Sequence, residues 1–134
     1  MILDSSTVAA IFLRQPGFER LIEALAEDRP AAIGAPSLVE AAFEIGLASG
    51  RDVHGLLGRF VQELGLDVVP FSEAHARAAV DAFVRYSDRR GAALGFGECL
   101  AYAVAHLARQ PMLTADPRFA ETDLELVITP GRAA

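Results

Sequence analysis

Short runs of consecutive apolar residues alternate along this chain with longer stretches of helical periodicity. Met1–Asp4 reads as a buried strand, followed by a helix over about Ser6–Arg14 that Pro16 and Gly17 end. Phe18–Ala26 predicts a second short helix, with Leu21, Ile22 and Leu25 at helical spacing, and Ala31–Gly34 a weak strand. Ser37–Ser49 predicts a helix preceded by Pro36 and closed by Gly50. Val53, Leu56, Leu57, Phe60, Val61 and Leu64 form one continuous amphipathic stripe. Leu66–Pro70 is a strand rich in β-branched residues. Ser72 then caps a helix whose expected buried stripe is Ala76, Ala79, Val80, Phe83 and Val84. Gly97–Ala108 is apolar nearly all round, as a central buried helix would be. Met112–Ala115 and Glu125–Thr129 predict two closing strands. Strands separated by helices require crossovers, which implies a parallel sheet covered on both faces. The expected fold is α/β: a three-layer α/β/α sandwich with a mainly parallel central sheet.

Length and composition narrow the class. The 134 residues, 52% hydrophobic, suit one domain over 1–134 and exclude a disordered chain. No apolar run approaches the ~20 residues of a membrane helix, and the start carries no positive leader. Cys99 is the only cysteine, too few for a disulfide framework or a thiolate metal site. These features predict a soluble, cytoplasmic protein with no membrane partner. All 12 basic residues are arginine, against 18 acids and a net charge of −6. Absence of lysine excludes a P-loop phosphate grip and Schiff-base chemistry. An acidic surface repels nucleic acid unless a bound divalent cation reverses the sign locally.

In sheets of this type reactive groups gather where strands end and helices begin. Four acids fall there: Asp4 after the first apolar run, Asp116 after Met112–Ala115, and Glu40 and Glu98 in first helical turns. Each also has a purely structural reading. An acid in a first turn complements the helix dipole. Ser37 and Glu40 have capping-box spacing, Asp4 suits an N-cap, and Asp116 suits an Asp-Pro turn with Pro117. Glu98 is harder to explain so, being the only formally charged side chain from Phe96 to Leu107. Four carboxylates in one cavity repel, and they must hold protons or share a positive charge. With no lysine available and no arginine recurring beside the four positions, a hard cation such as Mg²⁺ or Mn²⁺ is the expected partner. One ion or a pair would serve phosphodiester or phosphomonoester hydrolysis.

At these residues the sequence resembles a known family. Asp4-Ser5-Ser6 resembles the D-[ST]-S opening of PIN domains, and Ser37-Leu38-Val39-Glu40 their second acidic position. Phe96-Gly97-Glu98-Cys99-Leu100-Ala101-Tyr102-Ala103 is similar to their F-G-D-C-x-A-Y-A helix start. Leu113-Thr114-Ala115-Asp116-Pro117-Arg118-Phe119 is similar to their L-x-T-x-D-x-x-F strand end. Size and motif order resemble the VapC-type toxins of bacterial toxin–antitoxin pairs. The resemblance implies a Mg²⁺-dependent ribonuclease, with Mn²⁺ as a substitute. Asp4, Glu98 and Asp116 would then be metal ligands, with Glu40 completing the catalytic set and Ser6 and Thr114 orienting Asp4 and Asp116. It further implies an RNA substrate, a homodimer and a VapB-type antitoxin whose tail enters the acidic groove. This chain departs from the pattern at Glu98, where the family usually has aspartate, and at Gly95, where asparagine is frequent.

Other features carry less. Arg89 and Arg90 could contact RNA phosphates from the loop before Glu98, although a solvated loop also explains them. Gly95-Phe96-Gly97 lacks the third glycine of a dinucleotide loop. His54, His75 and His106 are scattered over three helices. Asp123 is explained by a turn before the last strand, Cys99 as a small buried residue, and Glu44 as a solvated neighbour of Glu40. A receiver domain would need lysine, and a haloacid-dehalogenase-like phosphatase would need aspartate where Ser6 stands. The alternative retained is a weakened PIN-fold binding module that keeps its antitoxin but not turnover.

Overall fold

A computed structural model of the chain describes residues 1–27, 29–87 and 93–130. Four short strands, β1 (Ile2–Leu3), β2 (Ala32–Gly34), β3 (Asp67–Val69) and β4 (Met112–Leu113), form one sheet in the order β3-β2-β1-β4. Every pairing is parallel, with Leu3 opposite Ile33 on one side and Leu113 on the other. Between the strands run α1 (Ser5–Phe12), α2 (Phe18–Ala26), α3 (Ala35–Ser49), α4 (His54–Leu64), α5 (Glu73–Tyr86) and α6 (Phe96–Ala108).

Alternation along the strands divides the core in two. Ile2 and Met112 face a cluster supplied by Ala78, Ala79 and Ala82 of α5 and Ala101 to Ala105 of α6. Leu3, Ile33 and Leu113 face the opposite cluster, filled by Val8, Ala9, Leu21, Ala24, Ala41, Ile45 and Leu57 from α1 to α4. The three expected layers are present. Helix α6 lies so close to β2 that a Cβ on Gly34 would sit 2.8 Å from Val104 Cγ2. That close approach helps set α6 and its Glu98 against the strand ends.

The order of the strands matters most for function. From β1 the chain steps outward to β2 and β3, then returns through α5 and α6 to place β4 on the other side of β1. The switch point therefore lies between β1 and β4, and a crevice forms beyond their carboxyl ends. Asp4 and Thr114 are the residues that leave those two strands.

Several expectations need correction. The closing strand Glu125–Thr129 reduces to one parallel bridge between Met112 and Leu126. Met112 N–H donates to Glu125 O and Val127 N–H to Met112 O, both at 2.9 Å, and a two-residue β4 gives the segment no more partner than that. On α5 the alanines, not the bulky residues, meet α6. Val80, Phe83 and Val84 are 61%, 57% and 73% exposed. Small side chains allow the closer helix approach, and the larger ones are left outside. Ser72 caps α5 as expected, accepting from His75 N–H while Ser72 N–H donates to His75 Nδ1. Among the described residues no helix is long and apolar enough to cross a membrane.

Candidate active site

Helix α1 starts directly from the end of β1, and Asp4 is its N-cap, accepting from Thr7 N–H at 3.1 Å. The structural reading of Asp4 is therefore correct, and the side chain does more besides. Thr114 Oγ1 donates to Asp4 Oδ2 at 2.7 Å, while Ser6 Oγ lies 2.8 and 2.9 Å from the two carboxylate oxygens. Asp4 is 4% exposed, and burial raises its pKa to about 6 against the opposing pull of the Thr114, Ser6 and Thr7 donors.

The same two hydroxyls tie β4 to β1. Ser6 Oγ lies 3.1 Å from Thr114 Oγ1 and accepts from Ala115 N–H at 3.0 Å. Thr114 Oγ1 also accepts from Asp116 N–H at 3.0 Å. Asp116 caps a short 3₁₀ turn over Pro117–Glu121, again as an Asp-Pro turn predicts.

Glu40 is not a capping residue. Helix α3 begins at Ala35 with Gly34 as its N-cap, so Ser37 already lies inside the helix and Glu40 falls in the second turn. Pro36 fits this earlier start, because a helix tolerates proline in its first turn. Glu40 Oε1 instead accepts from Ser5 Oγ at 2.5 Å. Glu98 is in the first turn of α6 as expected, and Gly97 beside it leaves the space that the Glu40 carboxylate fills.

Asp4, Glu40, Glu98 and Asp116 thus line one cavity of about 110 Å³, together with Ser5, Ser6, Glu44, Gly97, Ala101 and Arg118. All the acidic donors are oxygen, the set that suits a hard divalent cation. Among the described residues no three His, Cys, Asp or Glu side chains form a ready-made metal cage. Hydroxyls hold Asp4, and Arg118 holds Glu98 and Asp116. The chemistry of the donors fits a cation, and the positive charge now paired with two of them is a guanidinium.

Residues 1–125 match the family model described as PIN domain. The chain belongs to the PIN-domain family. Ribonuclease VapC36 of Mycobacterium tuberculosis is 36% identical over 127 residues, spanning 93% of this chain and 91% of that relative. Among solved structures, VapC20 of Mycobacterium tuberculosis, described as a sarcin–ricin loop cleaving toxin, aligns with a TM-score of 0.79 at 15% identity. The alignment covers 96% of this chain and 98% of that one. VapBC2 of Rickettsia felis, bound to a DNA fragment from their promoter, aligns with a TM-score of 0.71 at 15% identity, covering 93% and 94% of the two chains. At such identities the two structures speak for the fold.

Arg118, a member of this PIN domain's pocket, was missed in the sequence. Arg118 donates from Nε to both Asp116 oxygens at 3.1 Å, from Nη2 to Asp116 Oδ2 at 2.7 Å, and from Nη2 to Glu98 Oε1. The expectation that no arginine stands beside the four acids is therefore wrong. Proline at 117 turns the chain within two residues, which folds Arg118 back over its own N-cap; the Asp-Pro-Arg run was the available signal. Glu44, one turn beyond Glu40, lines the cavity too. Burial and the charges of Glu40 and Asp116 push its pKa upward. Asp116 is likewise pushed up by burial and by Glu40, with the Arg118 N–H acting against them.

Asp123 and the three histidines stand outside the pocket. Asp123 accepts from Tyr102 Oη at 2.6 Å and Tyr86 Oη at 3.2 Å, a brace between α5, α6 and the last segment. His54, His75 and His106 do not line the acidic cavity. Arg89 and Arg90 lie outside the described residues.

Proposed function

We propose that this PIN domain is a Mg²⁺-dependent endoribonuclease, the toxin of a type II toxin–antitoxin pair. The observation that carries the reading is the meeting of Asp4, Glu40, Glu98 and Asp116 in one cavity at the β1/β4 switch point. The ribonuclease name of a relative 36% identical supports the reaction class. Asp4, Glu98 and Asp116 would hold the ion, with Glu40 beside them, and Mn²⁺ should substitute because the donors are all oxygen. A bound divalent cation supplies the positive charge that offsets negative charge developing on a phosphodiester.

The chain's own groups do the rest. Ser6 and Thr114 fix Asp4 so that its oxygens stay aimed between the strand ends. Glu40, oriented by Ser5, is the carboxylate we assign to accept a proton from the attacking water. Without a cation the pocket's acids would repel RNA, so substrate and metal should bind together.

Partners are read from uncovered apolar surface. On α3, Val39, Phe43 and Leu47 recur every fourth residue and are 54%, 68% and 88% exposed. Between α5 and α6, Phe71, Val80, Phe83, Phe96 and Leu100 line a groove of about 510 Å³. Two such areas on a small chain support both self-association into a homodimer and an antitoxin of the VapB type.

Cleavage of RNA by the purified protein, with Mg²⁺, with Mn²⁺ and with chelator, tests the reading. Asp4→Ala and Asp116→Ala should each abolish metal-dependent cleavage and cell toxicity. Retained cleavage by both variants would refute the assignment.

A further inference from the structure

Arg118 is held by the pocket with unusual completeness. Its Nε and Nη2 face Asp116, Nη2 also meets Glu98, and Nη1 donates to Ala93 O at 3.3 Å. Its own backbone N–H donates to Asp116 Oδ1 at 2.9 Å, so the turn that presents the guanidinium is anchored to the same carboxylate. The side chains of Glu98 and Asp116 are 19% and 14% exposed and that of Arg118 35%, which shields the contact from water. Among the described residues lining the cavity Arg118 is the single base, against five acids.

We propose that Arg118 is the pocket's resident counterion, and that a divalent cation loads by displacing its guanidinium from Glu98 and Asp116. This rests on the reading of the pocket as a metal site. The physical grounds are two. The carboxylate oxygens that Arg118 occupies are among those an incoming ion must use, and each lone pair serves one partner at a time. A guanidinium left in place would also repel the ion across a few ångströms of partly shielded space. In the metal-free protein the same arginine relieves the repulsion between Glu98 and Asp116 and so supports the fold. One side chain therefore stabilises the metal-free state and opposes loading.

The opposite role is equally definite. If Arg118 stayed in place and merely aimed the two carboxylates at the ion, removing it would loosen the site and weaken binding. The sign of the change in cation affinity separates the two. Mn²⁺ binding to the full chain would be measured by calorimetry or by the paramagnetic signal of unbound Mn²⁺, for wild type, Arg118→Gln and Arg118→Lys. Melting temperatures in chelator would be recorded alongside. Arg118→Gln should bind Mn²⁺ about tenfold more tightly, the scale of removing one charge a few ångströms away. It should also melt several degrees lower without metal. Arg118→Lys keeps the charge but cannot grip both carboxylates as a fork, and should fall between the other two. Unchanged or weaker Mn²⁺ binding by Arg118→Gln, with wild type binding normally, overturns the counterion role and leaves the metal site intact. Should Arg118→Gln not fold, Arg118→Lys decides: tighter than wild type supports the proposal, equal or weaker overturns it. No Mn²⁺ binding by wild type or by either variant overturns the metal reading and the proposal with it.

Discussion

Gly97 and Glu40 occupy one place between them: a Cβ built on Gly97 would collide with the Glu40 carboxylate. Helices α3 and α6 come from different halves of the chain, yet the absent side chain of one leaves the space the other fills. The helical conformation at Gly97 makes no demand for glycine. Its requirement is the volume of the neighbouring acid.

Gly97→Ala should therefore separate stability from activity. Alanine in a helix is favoured over glycine by up to ~1 kcal/mol, so the folded chain should lose little or even gain. The Glu40 carboxylate, held by Ser5, must swing away from residue 97. Metal-dependent RNA cleavage should fall by about 10- to 100-fold, the range seen when groups that orient a metal site are disturbed. Unfolding in urea and cleavage rate, measured on the same preparation, check both halves. Full cleavage by Gly97→Ala would show that the Glu40 position does not matter.

Asp4 predicts an inverse relation between pH and the stability of the metal-free protein. Its ordinary pKa of 3.8 is raised to about 6 by burial, so between those values the folded state holds a proton that the unfolded state has lost. Stability should fall as pH rises from 4 to 6, by at most about 3 kcal/mol. Asp123 works the other way. Its pKa is lowered by the Tyr102 hydroxyl, so its contribution is present above its ordinary range and lost on acidification. Asp4→Asn should flatten the 4-to-6 slope, exceed wild type in stability at pH 7 in chelator, and lose cation binding. Wild-type cleavage should rise over pH 5 to 7 as Asp4 ionises. Identical slopes for Asp4→Asn and wild type would remove Asp4 as the cause.

Thr114→Val tests the hydroxyl that serves two acids at once. Threonine here is 1% exposed, donates to Asp4 and accepts from Asp116 N–H. Valine keeps the shape and strands the Asp116 N–H, which should cost about 1–3 kcal/mol. Losing a donor to Asp4 removes an influence that lowers its pKa, so the rise of cleavage with pH should move to higher pH. A destabilised variant with an unmoved pH profile would confine Thr114 to a structural role.

What the sequence conveyed about this site follows from where each signal lives. Asp4 and Asp116 were legible because an acid directly after an apolar run marks a strand end, and parallel strands gather their ends. Glu98 was legible because charge is costly in an apolar helix. Arg118 was not. Its meaning depends on Pro117 folding the backbone back, and on Glu98 arriving from α6, twenty positions earlier in the chain. Glu44, placed on the same helix face as Glu40 and read as solvated, is exposed; that it also lines the cavity was not legible, since helical phase says nothing about the pocket opposite. Val80, Phe83 and Val84 failed similarly. Periodicity marks an apolar face, and a partner chain can cover that face as well as this chain's own core can. The last strand failed for want of partner length, a property of β4 and not of Glu125–Thr129.

The Tyr102–Asp123 brace supplies a variant that should affect stability alone. Tyr102 Oη donates to Asp123 Oδ1 at 2.6 Å, and Tyr86 Oη accepts from Asp123 N–H at 3.1 Å. The two rings stand 5.6 Å apart, and Tyr102 stacks on His106 at 5.4 Å. Tyr102→Phe keeps the rings and deletes one hydrogen bond to a carboxylate. Because Asp123 is half exposed, water can replace that bond in part, and the cost should be about 1 kcal/mol. The loss should appear in urea unfolding above pH 5, where Asp123 is charged, and shrink in acid. Neither Tyr102 nor Asp123 touches the acidic cavity, so Mn²⁺ affinity and cleavage per folded molecule should equal those of wild type. A variant with wild-type stability but reduced cleavage would mean that α6 transmits strain from the brace to Glu98, and the separation of brace and site would have to be abandoned.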